Sequence, residues 1–226
     1  MTAHALPTGA QIRFTGRADG LVALCVNGGT GRELPGTWSA GTEFLVRRCA
    51  PRHPGIGWAE LRYRVRSWRQ LEMCIDDGRA ALDAVVAAGA REVVVVGYSM
   101  GGGVASAIAD HPLVRQVIGL APWLPERLDL SAMHDREIAI FHGSLDRHLP
   151  GIPGVSPESS RKGFERLLAL GARGTYTMIP GAIHPIALRV PWGALVPMPR
   201  AAEWARQVQS VVAAAAERVA SPARVP

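Results

Sequence analysis

Around Ser99 the sequence reads Val93-Val94-Val95-Val96-Gly97-Tyr98-Ser99-Met100-Gly101-Gly102-Gly103. Four consecutive valines are typical of a central β-strand that is covered on both faces. Glycines then bracket a serine with the spacing G-x-S-x-G, and the small residues that follow, up to Ala109, favour a helix packed closely on a sheet. This stretch therefore predicts a buried strand, a sharp turn at Ser99 and a helix.

Such a turn suits a serine that acts as a nucleophile. A serine hydroxyl reacts poorly at neutral pH unless it stands clear of its own backbone, beside a base and beside donors for a developing oxyanion. A sharp turn would project the Ser99 hydroxyl from the end of the sheet and bring the Met100 N–H to the same space. Glycines at 97 and 101 would avoid collisions with the neighbouring strand and helix. The alternative is a simple turn whose serine caps the helix.

The length and composition fit one folded domain. The chain has 226 residues, of which 48% are hydrophobic and 19% are charged. These values indicate a globular protein and exclude a disordered one, and α/β folds of this size are commonly undivided. We expect a single domain over residues 1–226, with residues 1–10 and 220–226 as flexible ends.

The charge is positive, at +6, and arises almost entirely from arginine, since Lys162 is the one lysine. The arginines are spread along the chain and accompany no nucleic-acid-binding motif, so we do not expect a nucleic-acid partner. A counter-charge for an anionic substrate is a better use of this charge. Arg64 and Arg66 follow a predicted strand, and one of them could meet a substrate carboxylate, although a surface ion pair is the simpler interpretation.

The three cysteines, Cys25, Cys49 and Cys74, lie in apolar segments without C-x-x-C spacing. They are expected to be buried free thiols rather than a disulfide framework. Residues 1–20 lack the pattern of a signal peptide, and no apolar run is long enough to cross a bilayer. We therefore expect a soluble, cytoplasmic protein without membrane association.

Predicted strands and helices alternate along the chain. The strands are expected over 11–15 (an edge strand), 21–26, 56–65, 93–96, 114–120, 137–141 and 174–179. The helices are expected over 37–48, 68–88, 100–110, 158–170 and 200–219. This alternation predicts an α/β fold: a mostly parallel central sheet with helices on both faces. The turns at 27–31, 97–101, 142–146 and 180–184 each follow a strand, so they should meet at one edge of the sheet, where ligands bind in such folds.

Three of these turns carry a serine, an acid and a histidine in that order: Ser99, Asp146 and His184. With the G-x-S-x-G turn, this order resembles the α/β-hydrolase superfamily, and in particular its small serine hydrolases without a cap domain, of the esterase or dienelactone hydrolase kind. The resemblance covers nearly the whole chain from Leu21 onward. It is specific for the fold and not for a substrate.

The resemblance implies a role for each residue. Ser99 would attack an acyl carbonyl, His184 would take and return the proton, and Asp146 would orient the imidazole. The oxyanion would be held by the N–H of Met100 and by a second N–H from the turn after the first buried strand. That second donor is Gly29 or, failing that, Thr30.

Other residues could fill two of these roles. Asp129 or Asp135 could replace Asp146 as the acid, while His111, His134 and His148 are less well placed than His184. His142 is expected to brace its turn rather than to act as the base. No spacing typical of a metal site is present, and Ser99 occupies a position where a dinucleotide-binding loop requires glycine. Neither a metal nor a cofactor is expected.

The substrate pocket can be outlined only broadly. About fifteen residues separate the strand ending near Leu120 from the one beginning near Glu137, too few for a helical cap domain. The candidates for an open, apolar cleft suited to an acyl chain or ring are Trp38, Trp123, Leu124, Trp192 and Met100. Core packing is the simpler interpretation for Trp38.

The sequence thus predicts a serine hydrolase that cleaves an ester, thioester or lactone of a small acyl substrate through an acyl-enzyme. Two alternatives remain open. An acyltransferase or cyclase would use the same triad, and a non-catalytic binding protein could share the fold. The oligomeric state stays open.

Overall fold

The computed structural model describes residues 2–147 and 154–220. The α-helices are α1 (Ala40–Cys49), α2 (Leu71–Ala87), α3 (Met100–Ala107), α4 (Pro157–Ala169) and α5 (Ala201–Ala220). The strands are β1 (Ala3–Ala5), β2 (Gln11–Thr15), β3 (Leu21–Val26), β4 (Leu34–Pro35), β5 (Gly57–Arg62), β6 (Val65–Arg66), β7 (Glu92–Tyr98), β8 (Val114–Leu120), β9 (Glu137–Gly143), β10 (Arg173–Ile179), β11 (Ala187–Arg189) and β12 (Leu195–Pro197). Every helix predicted from the sequence is present, with shifted ends.

The central sheet has eight strands in the order β1-β2-β5-β3-β7-β8-β9-β10. Six neighbouring strands run parallel: β5, β3, β7, β8, β9 and β10. At one edge, β2 pairs antiparallel with β5, and β1 pairs antiparallel with β2. This confirms the predicted mostly parallel sheet. The described chain contains no large cap domain, since α4 and α5 pack on the sheet itself.

The strand order reverses between β3 and β7. From β3 the chain crosses to β5 on one side, and from β5 it returns to β7 on the other side, where Val26 lies opposite Gly97. The turns that follow β3 and β7 therefore leave the sheet side by side. This is the position at which a crevice opens in sheets of this kind.

Each face of the sheet carries its own apolar core. Helices α2, α3 and α4 cover one face with side chains such as Leu82, Val104 and Leu167. Helices α1 and α5 cover the other, where Trp204 is fully buried. The valines of β7 contribute to both cores in alternation, which explains why all four are apolar.

The amino-terminal segment differs from the prediction. Ala3–Ala5 pair with β2, and Leu6 and Ala10 are buried, so this segment extends the sheet rather than forming a flexible end. As a result Gln11–Thr15 is the second strand and not the edge. Two buried apolar side chains that anchor a short strand leave little pattern in the sequence. Residues 221–226, also expected to be flexible, lie outside the described residues.

Two tryptophans allow a matched test of the core. Replacing Trp204, which is 0% exposed on α5, with alanine should lower the free energy of unfolding by about 3–5 kcal/mol, because a large cavity is left in the core. Trp192 is 79% exposed, and the same substitution there should change the free energy by less than about 0.5 kcal/mol. Urea unfolding at pH 7 measures both. Equal losses for the two variants would contradict the described packing.

Candidate active site

Ser99 joins β7 to α3 in a backbone conformation that non-glycine residues rarely adopt, with φ of 55° and ψ of −121°. Three hydrogen bonds hold it there. Its N–H donates to the Leu120 carbonyl oxygen at 2.9 Å, and its own carbonyl oxygen accepts from the N–H groups of Gly102 and Trp123, each at 2.9 Å. The unfavourable conformation is thus fixed by contacts on both sides of the residue.

The glycines on either side of Ser99 allow two backbones to approach closely. A Cβ atom on Gly97 would lie 2.3 Å from the carbonyl oxygen of Gly101. A Cβ atom on Gly101 would lie 2.3 Å from the carbonyl oxygen of Val26 at the end of β3. Any larger residue at either position would force the strand and α3 apart.

The three side chains that the sequence singled out form one hydrogen-bonded chain. His184 Nε2 lies 3.1 Å from Ser99 Oγ, and His184 Nδ1 lies 2.6 Å from Asp146 Oδ2. Both His184 and Asp146 are buried, at 7% and 1% exposure. The Tyr98 hydroxyl donates to the His184 carbonyl oxygen at 3.1 Å and so fixes the loop that carries the histidine.

Asp146 is held from two further directions. The N–H of Val155 donates to Asp146 Oδ1 at 3.2 Å, and Nε2 of His142 lies 3.2 Å from Asp146 Oδ2. Burial raises the pKa of the Asp146 carboxyl, but its interactions with His142 and His184 outweigh burial and hold that pKa below the ordinary value of 3.8. Asp146 is therefore a carboxylate at neutral pH.

The candidate oxyanion donors lie beside Ser99. Gly29 and Met100 both line the cleft in front of the serine, whereas Thr30 does not, so the geometry favours Gly29 over Thr30. The N–H of Gly28 already donates to the Asn27 side chain at 2.7 Å. As the first residue of α3, Met100 has an N–H without an acceptor inside the helix.

A cleft of about 780 Å³ opens at Ser99 and His184. Trp38 and Trp123 line it, as the sequence suggested. Trp68 also lines it and was not predicted, because the sequence placed this residue at the start of a predicted helix. The cleft thus combines an apolar, aromatic wall with the hydroxyl of Ser99 and the imidazole of His184.

Two predicted pocket residues lie elsewhere. Leu124 is buried in the core beside Gly163 of α4, where a Cβ atom on the glycine would lie 2.6 Å from the leucine Cβ. Trp192 lies in the turn of the β11–β12 hairpin, closed by the Gly193 N–H and the Val190 carbonyl oxygen at 2.8 Å, and is 79% exposed. Neither lines the cleft. Both residues were predicted to line the cleft from their positions in the sequence. In the structure, Leu124 packs into the core and Trp192 points into solvent from the hairpin turn.

The two arginines proposed for a substrate carboxylate have different surroundings. Arg64 forms ion pairs with Asp76 and Asp77 at 3.4 and 3.3 Å and does not line the cleft. Arg66 lines the cleft, its Nε is buried without a hydrogen-bond partner, and it pairs with no carboxylate of the described residues. Arg189 also lines the cleft but is held by Glu43 at 2.6 Å.

The alternative acids and bases are engaged away from Ser99. Asp129 accepts from Ser131, and Asp135 pairs with Arg173. His111 accepts from its own turn, and His134 contacts Asp135. His148 lies outside the described residues.

The sequence from residue 23 to residue 225 matches the model of a protein family described as the alpha/beta hydrolase family. The chain belongs to the alpha/beta hydrolase family. This confirms the resemblance inferred from the G-x-S-x-G turn and from the order of the serine, the acid and the histidine. A search of curated proteins found no significant match to this hydrolase.

Solved structures share the fold of this alpha/beta hydrolase at low sequence identity. An alpha-beta serine hydrolase homologue from Coxiella burnetii is 14% identical with a TM-score of 0.63, and the match covers 95% of each chain. A protein from Xanthomonas campestris described as an alpha/beta serine hydrolase without a lid is 16% identical with a TM-score of 0.62, over 96% of this chain and 94% of the other. A protein of unknown function from Agrobacterium tumefaciens is 16% identical with a TM-score of 0.65, over 100% and 98%.

Within residues 2–147 and 154–220 of this hydrolase, no group of three or more histidine, cysteine, aspartate or glutamate side chains is arranged to bind a metal ion. In the same ranges, no helix combines the length and apolar character needed to span a bilayer. The described cysteines Cys25, Cys49 and Cys74 are free and buried, as expected.

The lowered pKa of Asp146 predicts how stability depends on pH. Because this pKa is depressed in the folded state, the ionised carboxylate contributes stability above its ordinary pKa, and that contribution is lost as the pH falls. Asp146→Asn should lower the free energy of unfolding at pH 7 by about 2 kcal/mol. The difference from the wild type should shrink below about pH 4.

Urea unfolding at pH 7, 5 and 3 measures this difference. The exposed Asp135 provides the matched control, since Asp135→Asn removes only surface contacts of its carboxylate, with Arg173 and His134. A loss for Asp146→Asn that is the same at all three pH values would contradict the electrostatic origin of the effect.

Proposed function

We propose that the protein is a serine hydrolase that cleaves carboxylic esters, thioesters or lactones through an acyl-enzyme intermediate. The observation that carries this proposal is the hydrogen-bonded chain from Ser99 through His184 to Asp146 at the cleft, with Oγ 3.1 Å from Nε2. That distance is within reach for proton transfer from a serine to a base. Membership of the alpha/beta hydrolase family supports a hydrolase, and the triad assignment adds the mechanism.

In the first step, Ser99 Oγ bonds to the acyl carbon while its proton passes to His184 Nε2. The tetrahedral intermediate then collapses, the bond between the acyl carbon and the leaving oxygen or sulfur breaks, and His184 returns the proton to the leaving group. Asp146 offsets the charge of the transient imidazolium and fixes the ring through Nδ1. A water molecule repeats the sequence on the acyl-enzyme and releases the acid and free Ser99.

The N–H groups of Met100 and Gly29 are the proposed oxyanion donors, each from a turn that follows a parallel strand. Gly29 also leaves room there, because a Cβ atom on it would lie 2.3 Å from the Met100 sulfur. An N–H donor of this kind typically contributes about 10²- to 10³-fold to kcat.

Catalysis is favoured over a purely binding role. A binding protein has no need to hold Ser99 at a φ of 55°, which costs on the order of 1–3 kcal/mol, whereas a nucleophile gains access to the acyl carbon from it. The alternative function is acyl transfer or cyclisation by the same triad, in which the acceptor of the acyl group is not water. Product analysis in the presence of added alcohols and amines distinguishes it from hydrolysis. The free thiols agree with a reducing compartment and with the proposed cytoplasmic location.

A fluorophosphonate probe tests the nucleophile. The wild type should be labelled and should cleave p-nitrophenyl butyrate, whereas Ser99→Ala should lose labelling and at least about 10³-fold of kcat/KM, since the acyl-enzyme cannot form. Intact-protein mass spectrometry measures the labelling.

Ser131 serves as the control because it is exposed and its hydroxyl donates to Asp129 rather than to a triad residue. Ser131→Ala should keep both labelling and turnover. Wild-type protein that neither labels nor hydrolyses a panel of esters would contradict the proposed activity. Labelling that persists in Ser99→Ala would contradict the assignment of the nucleophile.

The unpaired Arg66 predicts a preference for substrates with a carboxylate. The p-nitrophenyl monoester of glutaric acid and p-nitrophenyl valerate differ mainly in that charge. Arg66→Met should lower the ratio of their kcat/KM values by about tenfold or more, because a hydrogen bond to a charged group is lost. Arg69, exposed and away from the cleft, provides the control Arg69→Met. An unchanged ratio in Arg66→Met would contradict the preference.

A further inference from the structure

A second histidine, which is wholly buried, contacts Asp146, the acid of the proposed triad. His142, in β9, is 0% exposed and contacts Asp146 Oδ2, the same oxygen that the cleft-lining His184 reaches. Its Nε2 is 2.9 Å from the Val155 carbonyl oxygen and 3.2 Å from Asp146 Oδ2. The mechanism above does not use this histidine, yet it contacts the residue that controls the base.

The contacts of His142 define which ring nitrogen carries the proton. Nε2 faces only acceptors, a carbonyl oxygen and a carboxylate oxygen, so it must be the donor. Nδ1 is buried and has no hydrogen-bond partner among the described residues. A proton on Nδ1 would be a buried donor without an acceptor, which is costly. The contacts therefore place a proton of His142 on Nε2.

The main chain of Val155 completes a closed arrangement with Asp146 and His142. The Val155 N–H donates to Asp146 Oδ1 at 3.2 Å, while the Val155 carbonyl oxygen accepts from His142. Gly154 is packed against the same carboxylate, since a Cβ atom on it would lie 2.6 Å from Asp146 Oδ1. The His142 ring thus holds the residue whose N–H binds one carboxylate oxygen of Asp146, and it directs its own N–H toward the other oxygen.

The remaining groups around His142 are one aromatic ring, the guanidinium packed on that ring, and the carboxylate of Asp146. The Tyr176 ring is stacked near it, with centroids 6.2 Å apart, and burial raises the pKa of the Tyr176 hydroxyl, which donates to the Pro157 carbonyl oxygen. The Arg161 guanidinium lies 4.3 Å from the centroid of the Tyr176 ring. Asp146 is the carboxylate that His142 contacts, and His184 reaches the same carboxylate from the cleft.

We propose that His142 is a positioning residue of the triad, which holds the Asp146 carboxylate in line with His184 by means of the Val155 main chain and its own Nε2–H. This inference rests on the proposed hydrolase activity. Two effects follow from losing the donor. The carboxylate becomes free to rotate away from His184, which lowers kcat. It also becomes more basic, which favours protonated His184 and moves the acidic limb of the kcat/KM profile to higher pH.

The experiment compares His142→Leu, which removes the donor, with His142→Gln, which keeps an N–H. For p-nitrophenyl butyrate, His142→Leu should lower kcat by about 10- to 100-fold with a smaller change in KM. The midpoint of its acidic limb should rise by about 0.3–1 pH unit. His142→Gln should recover most of kcat and the wild-type midpoint. The control is His111→Leu, which removes a histidine outside the site and should leave both unchanged.

The outcomes separate this inference from the proposed function. Wild-type kcat and pH profile in His142→Leu, or equal losses in both variants with an unshifted midpoint, would overturn the positioning role while fluorophosphonate labelling still supported the hydrolase. A wild type without labelling or turnover would overturn the hydrolase itself. Nitrogen-15 NMR of the wild-type protein at pH 8 tests the inference without any variant: the neutral His142 ring should carry its proton on Nε2, and an Nδ1–H tautomer would overturn it.

Discussion

The close approach of β3 and α3 is the constraint on which the site depends. Because Gly101 lies against the Val26 carbonyl oxygen, the start of α3 and the end of β3 share one small volume, and the turns that leave β3 and β7 cannot separate. The same contact brings Gly29 to Met100 and leaves Ser99 in its unfavourable backbone conformation. Two glycines thus determine where the proposed nucleophile and both proposed oxyanion donors lie.

Electrostatics then organise the acid side of the site. A carboxylate inside a protein is expensive to desolvate, and Asp146 is stable there only because donors surround it. The sheet supplies these donors from separate segments: His142 from β9, Val155 from the loop before α4 and His184 from the turn after β10. Parallel strands that end at one edge make such convergence possible without long connections, and this fold keeps the site at that edge.

Much of this could be anticipated from the sequence, for definite physical reasons. Continuous apolar runs such as Val93–Val96 mark strands covered on both faces, and the glycines around Ser99 mark a turn with no space for side chains. The exposure of single aromatic residues could not be anticipated. Trp192 and Trp68 both lie next to short strands in the chain. Only the packing of the folded protein decides that Trp192 lies in a hairpin turn and Trp68 in the wall of the cleft. Short strands such as Ala3–Ala5 and the β11–β12 hairpin are too brief to show a period.

The position of Val155 has a broader consequence. This residue lines the cleft, and its N–H and its carbonyl oxygen, which belong to two adjacent peptide groups, bind Asp146 and His142. A shift of the Val155 main chain therefore moves a hydrogen-bond donor of the Asp146 carboxylate. We expect changes in the shape of the cleft wall at this residue to alter the orientation of that carboxylate as well as the space open to a ligand.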